Sequence, residues 1–330
     1  TTRPHRLDVT LFDDSLNKYA TLDVDLEGER TILDEASGLQ APALLLLNDG
    51  DHTYAKVRFD ETSLETIRTR LSEVPDELSR AVIWTSLWNL TRDGEWPVRS
   101  YLDTVLNHAP AESNPTLLTT AFANAAYAIN HFVGEEAREE IRADYAERLW
   151  EVLQQAPAGS DAQLTVARAA IQALAATPAE SGTQRLRALY DGSLDGLALD
   201  PDIRWAILRA LAARDAVSAE ELEAEKERGN TLTGAAAYLG ASHAFPSAEL
   251  KREVFDLVRT PGKYSNAEVD SLLAAFNAPR SAHLTEAFAQ EYFDSLSQLW
   301  EEHPIEIANR LVRGLYPDLA MADAATSEFL

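Results

Sequence analysis

The sequence predicts a mainly α protein: an irregular helical solenoid, an α-α superhelix, preceded by a small and incomplete β-sandwich. Three observations lead there. Apolar residues alternate with polar ones through residues 1–59, the period-2 rhythm of half-buried strands. From Asp60 to Leu330 they recur at helical spacing instead. The two regimes meet in one stretch, Ala43–Leu64, which therefore reads as a junction between a β portion over 1–59 and a helical array over 60–330.

The β portion reads as five short strands. Leu7, Val9 and Leu11 alternate with Arg6, Asp8 and Thr10, and Asp13–Asn17 turns the chain. Ala20, Leu22, Val24 and Leu26 alternate with Thr21, Asp23 and Asp25, and a second turn at Glu27–Arg30 precedes a short strand at Thr31–Leu33. Leu44–Leu47 is a continuous apolar run, expected of a strand covered on both faces. Asn48–Asp51 makes a tight turn whose Asp-Gly pair tolerates positive φ. Tyr54–Phe59 closes the set, with Ala55, Val57 and Phe59 on one face. So few residues make only part of a sandwich.

In the helical part, S/T-x-x-E capping boxes are expected at Thr62/Glu65, Thr177/Glu180, Ser218/Glu221 and Ser265/Glu268, with Pro178 as a first helical residue. Leu118, Phe122, Ala125, Ile129 and Phe132 trace one helix face; Ile141, Tyr145, Leu149 and Val152 trace another; Val269, Leu272, Leu273 and Phe276 trace a third. The helix around Leu78–Leu90 is apolar nearly all round and reads as an inner-layer helix. About fourteen helices follow one another, and pairs recur every ~35–40 residues, the range of degenerate HEAT-like repeats.

Composition narrows the function. The 330 residues are 45% hydrophobic and 25% charged, an ordinary globular balance, with a formal net charge of −25. That charge argues against nucleic acid, which needs clustered Lys and Arg. It reads first as a self-repelling, solvated surface and second as a field attracting cationic ligands. With no Cys, disulfides, thiolate metal sites and Cys nucleophiles are excluded. No segment has the roughly 20 apolar residues of a membrane span, and a cytoplasmic location is the expectation. The chain opens on Thr1, which reads as a processed protein or a piece of a larger one.

A search for chemistry yields no site residue, catalytic, cofactor-binding or metal-binding. The seven histidines, His5, His52, His108, His131, His243, His283 and His303, include no i, i+4 pair, and H-E-x-x-H is absent. They read as scattered surface or capping residues. G-x-S-x-G, the P-loop pattern and a dinucleotide fingerprint are absent as well. Acid pairs such as Glu135-Glu136 and Glu301-Glu302 read as solvated helix faces. Trp84 and Trp88, one turn apart with Trp96 beyond, read as a core stripe, as do Trp150, Trp205 and Trp300. Arg92 and Asp93 before Gly94 read as a salt-linked helix end.

Several colinear segments carry a resemblance: Thr2–Leu7, Leu46–Glu61 with its Thr-Tyr-Ala-Lys-Val-Arg core, Ser79–Trp84, Leu87–Glu95, Ile203–Leu208 and Ile305–Pro317. Together they resemble the aminopeptidase N family of zinc metallopeptidases in its bacterial form, and specifically its C-terminal helical domain of the endoplasmic-reticulum-aminopeptidase type. The resemblance implies the end of a β-sandwich followed by an array that caps an active-site chamber and limits which peptides enter. Its implied partners are the catalytic domain of the same polypeptide and peptide substrates. The family's H-E-x-x-H with a downstream Glu and its G-x-M-E-N motif match nothing, the only methionine, Met321, being followed by Ala322. The zinc of the full enzyme is therefore expected to lie in a domain this chain lacks, and the chain alone is expected to be inactive. The alternative is a stand-alone HEAT-like scaffold that binds a protein partner through its concave face. A self-contained enzyme built from distant acids has no constellation to support it.

Overall fold

The computed structural model describes residues 3–229 and 231–317. Thr2, Met321 and Ala322 lie outside the described residues. The chain forms two compact units, one up to Ala169 and one from Ala170 on.

The first unit opens with a three-stranded antiparallel sheet of β1 (His5–Phe12), β2 (Lys18–Leu26) and β3 (Leu44–Leu47), in the order β2-β1-β3. Val9 stands opposite Leu22 and Leu47, and Thr10 opposite Thr21 and Leu46, so alternation sorts the side chains onto two faces. Leu7, Val9 and Val24 are buried on one face, with Leu22, Leu26, Leu33, Leu45 and Leu47 half-buried around them. Phe12, Leu44 and Leu46 on the other face are fully buried. The continuous Leu44–Leu47 run is thus fully covered on one face and only partly on the other.

Two expected strands are absent. Thr31–Leu33 is irregular and leads into a 3-10 turn at Asp34–Ala36. Tyr54–Phe59 is also irregular, and its alternation buries Val57 alone while Tyr54 is fully exposed. The neighbouring sheet edge explains the second. On β3 the Leu45 N–H donates to Ser63 Oγ (2.9 Å), and Thr66 Oγ1 donates to the carbonyl of Ala43 (2.7 Å). Side chains of the first helix thus take up edge groups that an added strand would need.

That helix, α1 (Glu61–Arg70), is capped by Asp60, whose carboxylate accepts from the Ser63 N–H; the expected Thr62/Glu65 box is not used. Then come α2 (Glu77–Arg92), α3 (Val98–His108), α4 (Pro115–His131), α5 (Glu135–Gln155) and α6 (Asp161–Ala176). On α2 the residues Val82, Ile83, Trp84, Leu87 and Leu90 are all buried, in keeping with an inner helix, though Leu78 is exposed. The faces read for α4 and α5 are buried at Leu118, Phe122, Ala125 and Ile129, and at Ile141, Tyr145 and Leu149.

The second unit is built of paired helices: α7 (Ser181–Tyr190) with α8 (Pro201–Ala212), α9 (Ala219–Arg228) with α10 (Leu232–Ser242), and α11 (Ala248–Val258) with α12 (Asn266–Phe276). After the single turn α13 (Ala282–Thr285), α14 (Ala289–Glu302) pairs with α15 (Ile305–Gly314). The second helix of each pair also packs on its neighbours, α8 on α10, α10 on α12 and α12 on α15. The face Val269, Leu272, Leu273 and Phe276 lies in one core with Phe255, Phe288, Tyr292 and Leu311. Both boxes expected late in the chain are complete, Ser218/Glu221 on α9 and Ser265/Glu268 on α12.

The expected box at Thr177/Glu180 does not form. The helix starts at Ser181 without a side-chain cap, and Pro178 precedes it. Here two arginines hold the chain. Arg214 donates to the carbonyls of Leu174 (3.2 Å), Thr177 (2.6 Å) and Ala179 (2.8 Å), and Arg280 donates to that of Thr177 (2.9 Å). Gly182 sits under this clasp, and a Cβ there would lie 2.6 Å from the Leu174 carbonyl oxygen. No helix among the described residues is long and apolar enough to cross a membrane.

Candidate functional site

Of the segments that carry the family resemblance, Ile203–Leu208 and Ile305–Pro317 belong to the second unit, while those in the first unit meet in a polar joint. Its hinge is the turn after β3, where positive φ falls on Asn48 (57°) and Asp51 (52°) and not on Gly50. Gly50 is needed for space, because a Cβ there would run into the His52 ring and lie 2.8 Å from Asp8 Oδ2. His52 Nε2 stands 3.0 Å from that oxygen, and His5 Nδ1 stands 2.7 Å from Thr53 Oγ1. The Asn48 side chain closes the turn by accepting from the Thr53 N–H (3.1 Å) and donating to the Thr53 carbonyl (2.9 Å).

Asp49, buried, faces the start of α2. The Ser79 hydroxyl lies 2.7 Å from Asp76 and 2.5 Å from Asp49, and Lys18 Nζ lies 2.7 Å from Asp49 and 3.2 Å from Asp76. The Ser79 hydroxyl and N–H, with Lys18, hold the Asp76 carboxyl below its ordinary value. Burial works against the Lys18 charge, but the two carboxylates outweigh it and raise the ammonium above its ordinary value.

The Thr-Tyr-Ala-Lys-Val-Arg segment runs on to the other end of α2. Lys56 Nζ stands 2.6 Å and Arg58 Nη2 3.0 Å from Asp93, and Arg58 also pairs with Glu95, while Val57 between them plugs the core. Hydrogen bonds from Lys56 and then Arg58 hold the Asp93 carboxyl low. The expected Arg92–Asp93 link is a loose 3.8 Å, because Asp93 is taken up by these two cations. Next along α2, Arg80 forks onto Glu112 with two 2.9 Å bonds and donates to the carbonyls of Val74 and Pro75. Asp49, Asp76, Asp93, Glu95 and Glu112 each have a cation or hydroxyl beside them, an arrangement that fastens strand, turn and helix together.

The other candidates resolve individually. His108 is buried, with Nδ1 3.0 Å from Ser72 Oγ and Nε2 3.0 Å from the Arg68 carbonyl oxygen, and so ties α3 to the end of α1. His243 Nδ1 lies 2.8 Å from the Leu239 carbonyl oxygen, and His303 Nε2 3.2 Å from that of Arg259. The His131 ring stacks on Tyr127 with centroids 4.1 Å apart. Among the described residues, no three His, Asp or Glu side chains come together as metal ligands. Trp84, Trp96 and Trp205 are buried, as expected of a core stripe. Trp88 is half-buried in a cluster with Tyr101, Tyr127 and Phe132, the last two exposed. Trp300 departs from the expectation and is 46% exposed, because the apolar stripe of α14 runs through Leu299 and leaves the next residue about 100° round the helix.

In the second unit a cleft of about 220 Å³ lies between α11 and α14, lined by Asp256, Arg259, Thr260, Gln298, Leu299 and Glu302. Its charges are spoken for: Arg259 pairs with Glu291 (2.8 Å), Asp256 with Arg252 (3.5 Å), and Gln298 donates to Glu302 (3.0 Å). Two cations, one buried and one half-buried, escaped the sequence reading. Lys251 is fully buried and donates to the Ala275 carbonyl (2.6 Å) at the end of α12, and burial pushes its ammonium down to about 8. The signal was present, since Lys251 lies on the stripe of Val254, Phe255 and Val258 at i+3, i+4 and i+7. The other, Arg209 on α8, is half-buried.

Comparison with known proteins follows the same lines. The family model of the ERAP1-like C-terminal domain matches residues 44–329. Aminopeptidase N of Streptomyces lividans is 35% identical over 323 residues, which cover 96% of this chain and 37% of that protein. The chain thus spans well under half the length of this curated relative. The crystal structure of Legionella pneumophila aminopeptidase A in complex with aspartic acid matches 99% of this chain and 46% of that one, with a TM-score of 0.52 at 13% identity, a likeness of fold alone. A polar joint that includes resembling segments of the first unit, a paired-helix array in the second and the match over residues 44–329 agree: the chain belongs to the family of ERAP1-like C-terminal domains.

Proposed function

We propose that this chain is the C-terminal part of an aminopeptidase that removes N-terminal residues from peptides, and that it encloses the reaction without performing it. The observation that carries this reading is the 35% identity to an Aminopeptidase N along 96% of the chain, confined to 37% of the relative. In this reading the helical pairs form a HEAT-like array that caps an active-site chamber and restricts peptide access. The partners are the catalytic domain of the same polypeptide and the peptide, and the location is cytoplasmic. In this reading zinc would belong to that catalytic domain. What the chain's own residues do is positional. The Lys56, Arg58, Asp93 and Glu95 cluster and the Asp49, Ser79, Asp76 and Lys18 cluster fix the β portion on the first helices.

The test is an assay of the isolated chain with aminoacyl p-nitroanilides, alongside a measurement of bound zinc. The expected result is no turnover and substoichiometric zinc. Robust zinc-dependent turnover by the chain alone would sink the reading.

A further inference from the structure

The cleft in the second unit lies where two helices end. Asp256, Arg259 and Thr260 come from the end of α11 and the residues just past it, and Gln298, Leu299 and Glu302 from the end of α14. A helix C-terminus carries roughly half a negative charge on carbonyls without an intrahelical donor. Lys or Arg in the last turn commonly answers that charge, but residues 255–258 and 299–302 contain neither. Buried His303, just past α14, has Nε2 3.2 Å from the Arg259 carbonyl oxygen and so ties the two ends together. The spacing of the walls is thereby fixed.

The lining side chains sort by hydrogen-bonding role. Their donors are engaged: Arg259 with Glu291 (2.8 Å), the Gln298 amide N–H with Glu302 (3.0 Å), and the Thr260 hydroxyl with the Asp256 carbonyl (3.2 Å). Acceptors are in surplus, because a carboxylate offers about four lone-pair sites and Gln298 and Thr260 keep their oxygen lone pairs. Glu291 sets this imbalance. It takes both Arg252 and Arg259 at 2.8 Å, and Asp256 is left with Arg252 at a long 3.5 Å. Two helix ends and two carboxylates thus face one cleft whose arginine is turned to an acid outside the lining. Such a site matches a group made of donors and positive charge: an ammonium has three donors and no acceptor, a guanidinium five. Buried Leu299 gives a short alkyl stem an apolar surface, and about 220 Å³ accommodates a molecule of that size.

We propose that the α11–α14 cleft binds a small organic cation, an ammonium or guanidinium head on a short alkyl stem, held by Asp256, Glu302 and the Gln298 side-chain carbonyl. The site goes beyond the aminopeptidase reading and stands without it.

The probes are butylammonium and butylguanidinium, titrated into the 330-residue chain by isothermal calorimetry at constant ionic strength. At least one should bind at a single saturable site, and the tighter of the two identifies the head group. Tetramethylammonium carries the charge without an N–H and should bind at least about tenfold more weakly. Asp256→Asn and Glu302→Gln should each weaken the better probe by about tenfold. Glu301→Gln removes the same charge one residue away, outside the lining, and should change binding by less than about twofold. The proposal is overturned if neither probe saturates a site on the wild-type chain, a result that needs no variant to fold. It is equally overturned if Asp256→Asn and Glu302→Gln keep full affinity. Equal binding of tetramethylammonium, or equal losses in Glu301→Gln and Glu302→Gln, would reduce the effect to general attraction by a net charge of −25 and overturn it as well.

Discussion

Arg80 and Glu112 are both nearly removed from solvent, at 10% and 2% side-chain exposure. Breaking a buried pair by removing one partner strands the other, at about 3–5 kcal/mol. Arg80→Met should therefore cost roughly that much in urea unfolding, and a loss under about 1 kcal/mol would contradict the assignment. Burial alone would raise the Glu112 carboxyl, but the Arg80 fork and the Asn114 N–H outweigh it and hold the group below its ordinary value. A lowered carboxyl contributes stability that is whole above the unfolded value, about 4.3, and is lost as pH falls through the folded one. The acid limb of the stability–pH curve should flatten in Glu112→Gln. Lys251 is lowered by burial alone, and the sign of its pH dependence is the same. Its folded value of about 8 lies below the unfolded 10.5, so the unfolded chain binds more protons between them and stability should rise with pH across that window. Lys251→Met should remove that rise, and an unchanged slope would rule out the burial described. Both cations were legible in outline, because each falls on the buried stripe of its helix. Their partners were not, since nothing in sequence order points from Arg80 to Glu112 or from Lys251 to Ala275.

Among the elements, the long periodic helices were the most legible and the short strands the least. The α12 face and the boxes at Ser218/Glu221 and Ser265/Glu268 need only local spacing, and they appear as read. Tyr54–Phe59 alternates as a strand should, yet forms none, because side chains of α1 engage the neighbouring edge and cations at 56 and 58 are drawn to the end of α2. Thr177/Glu180 failed for a related reason, with two arginines from more than thirty residues away holding that backbone. The clasp makes a sharp prediction. In Gly182→Ala the new methyl meets the Leu174 carbonyl at 2.6 Å and Thr177 Cγ2 at 2.7 Å, and overpacking of this kind costs about 1–3 kcal/mol. Denaturant unfolding should show that loss; a neutral or stabilised variant would mean the two backbones lie farther apart.

For the molecule as a whole, composition spoke to charge and the resemblance to family. With a net charge of −25, self-repulsion opposes the folded state, and salt screens it with a Debye length of about 10 Å at 0.1 M. The thermal midpoint should thus climb as sodium chloride is raised from a few millimolar to that range; a fall would show that attractive pairs such as Arg58–Glu95 dominate. The candidate site was the least legible feature. The quoted segments were distinctive enough to suggest a family, but only the meeting of those in the first unit showed them to be joinery, with Asp49, Asp76, Asp93 and Glu95 matched to cations or a hydroxyl.

The sheet that this joinery anchors has a built-in polarity of growth. On the β3 side, hydroxyls of Ser63 and Thr66 engage the backbone of Leu45 and Ala43. On the β2 side, Lys18–Leu26 has no strand beside it among the described residues. A further strand has one place to join, alongside β2, whether it comes from the same polypeptide or from a second copy meeting it edge to edge. Any attempt to crystallise or store the chain by itself should treat that edge as its sticky side, and a lysine substitution on β2 as the remedy.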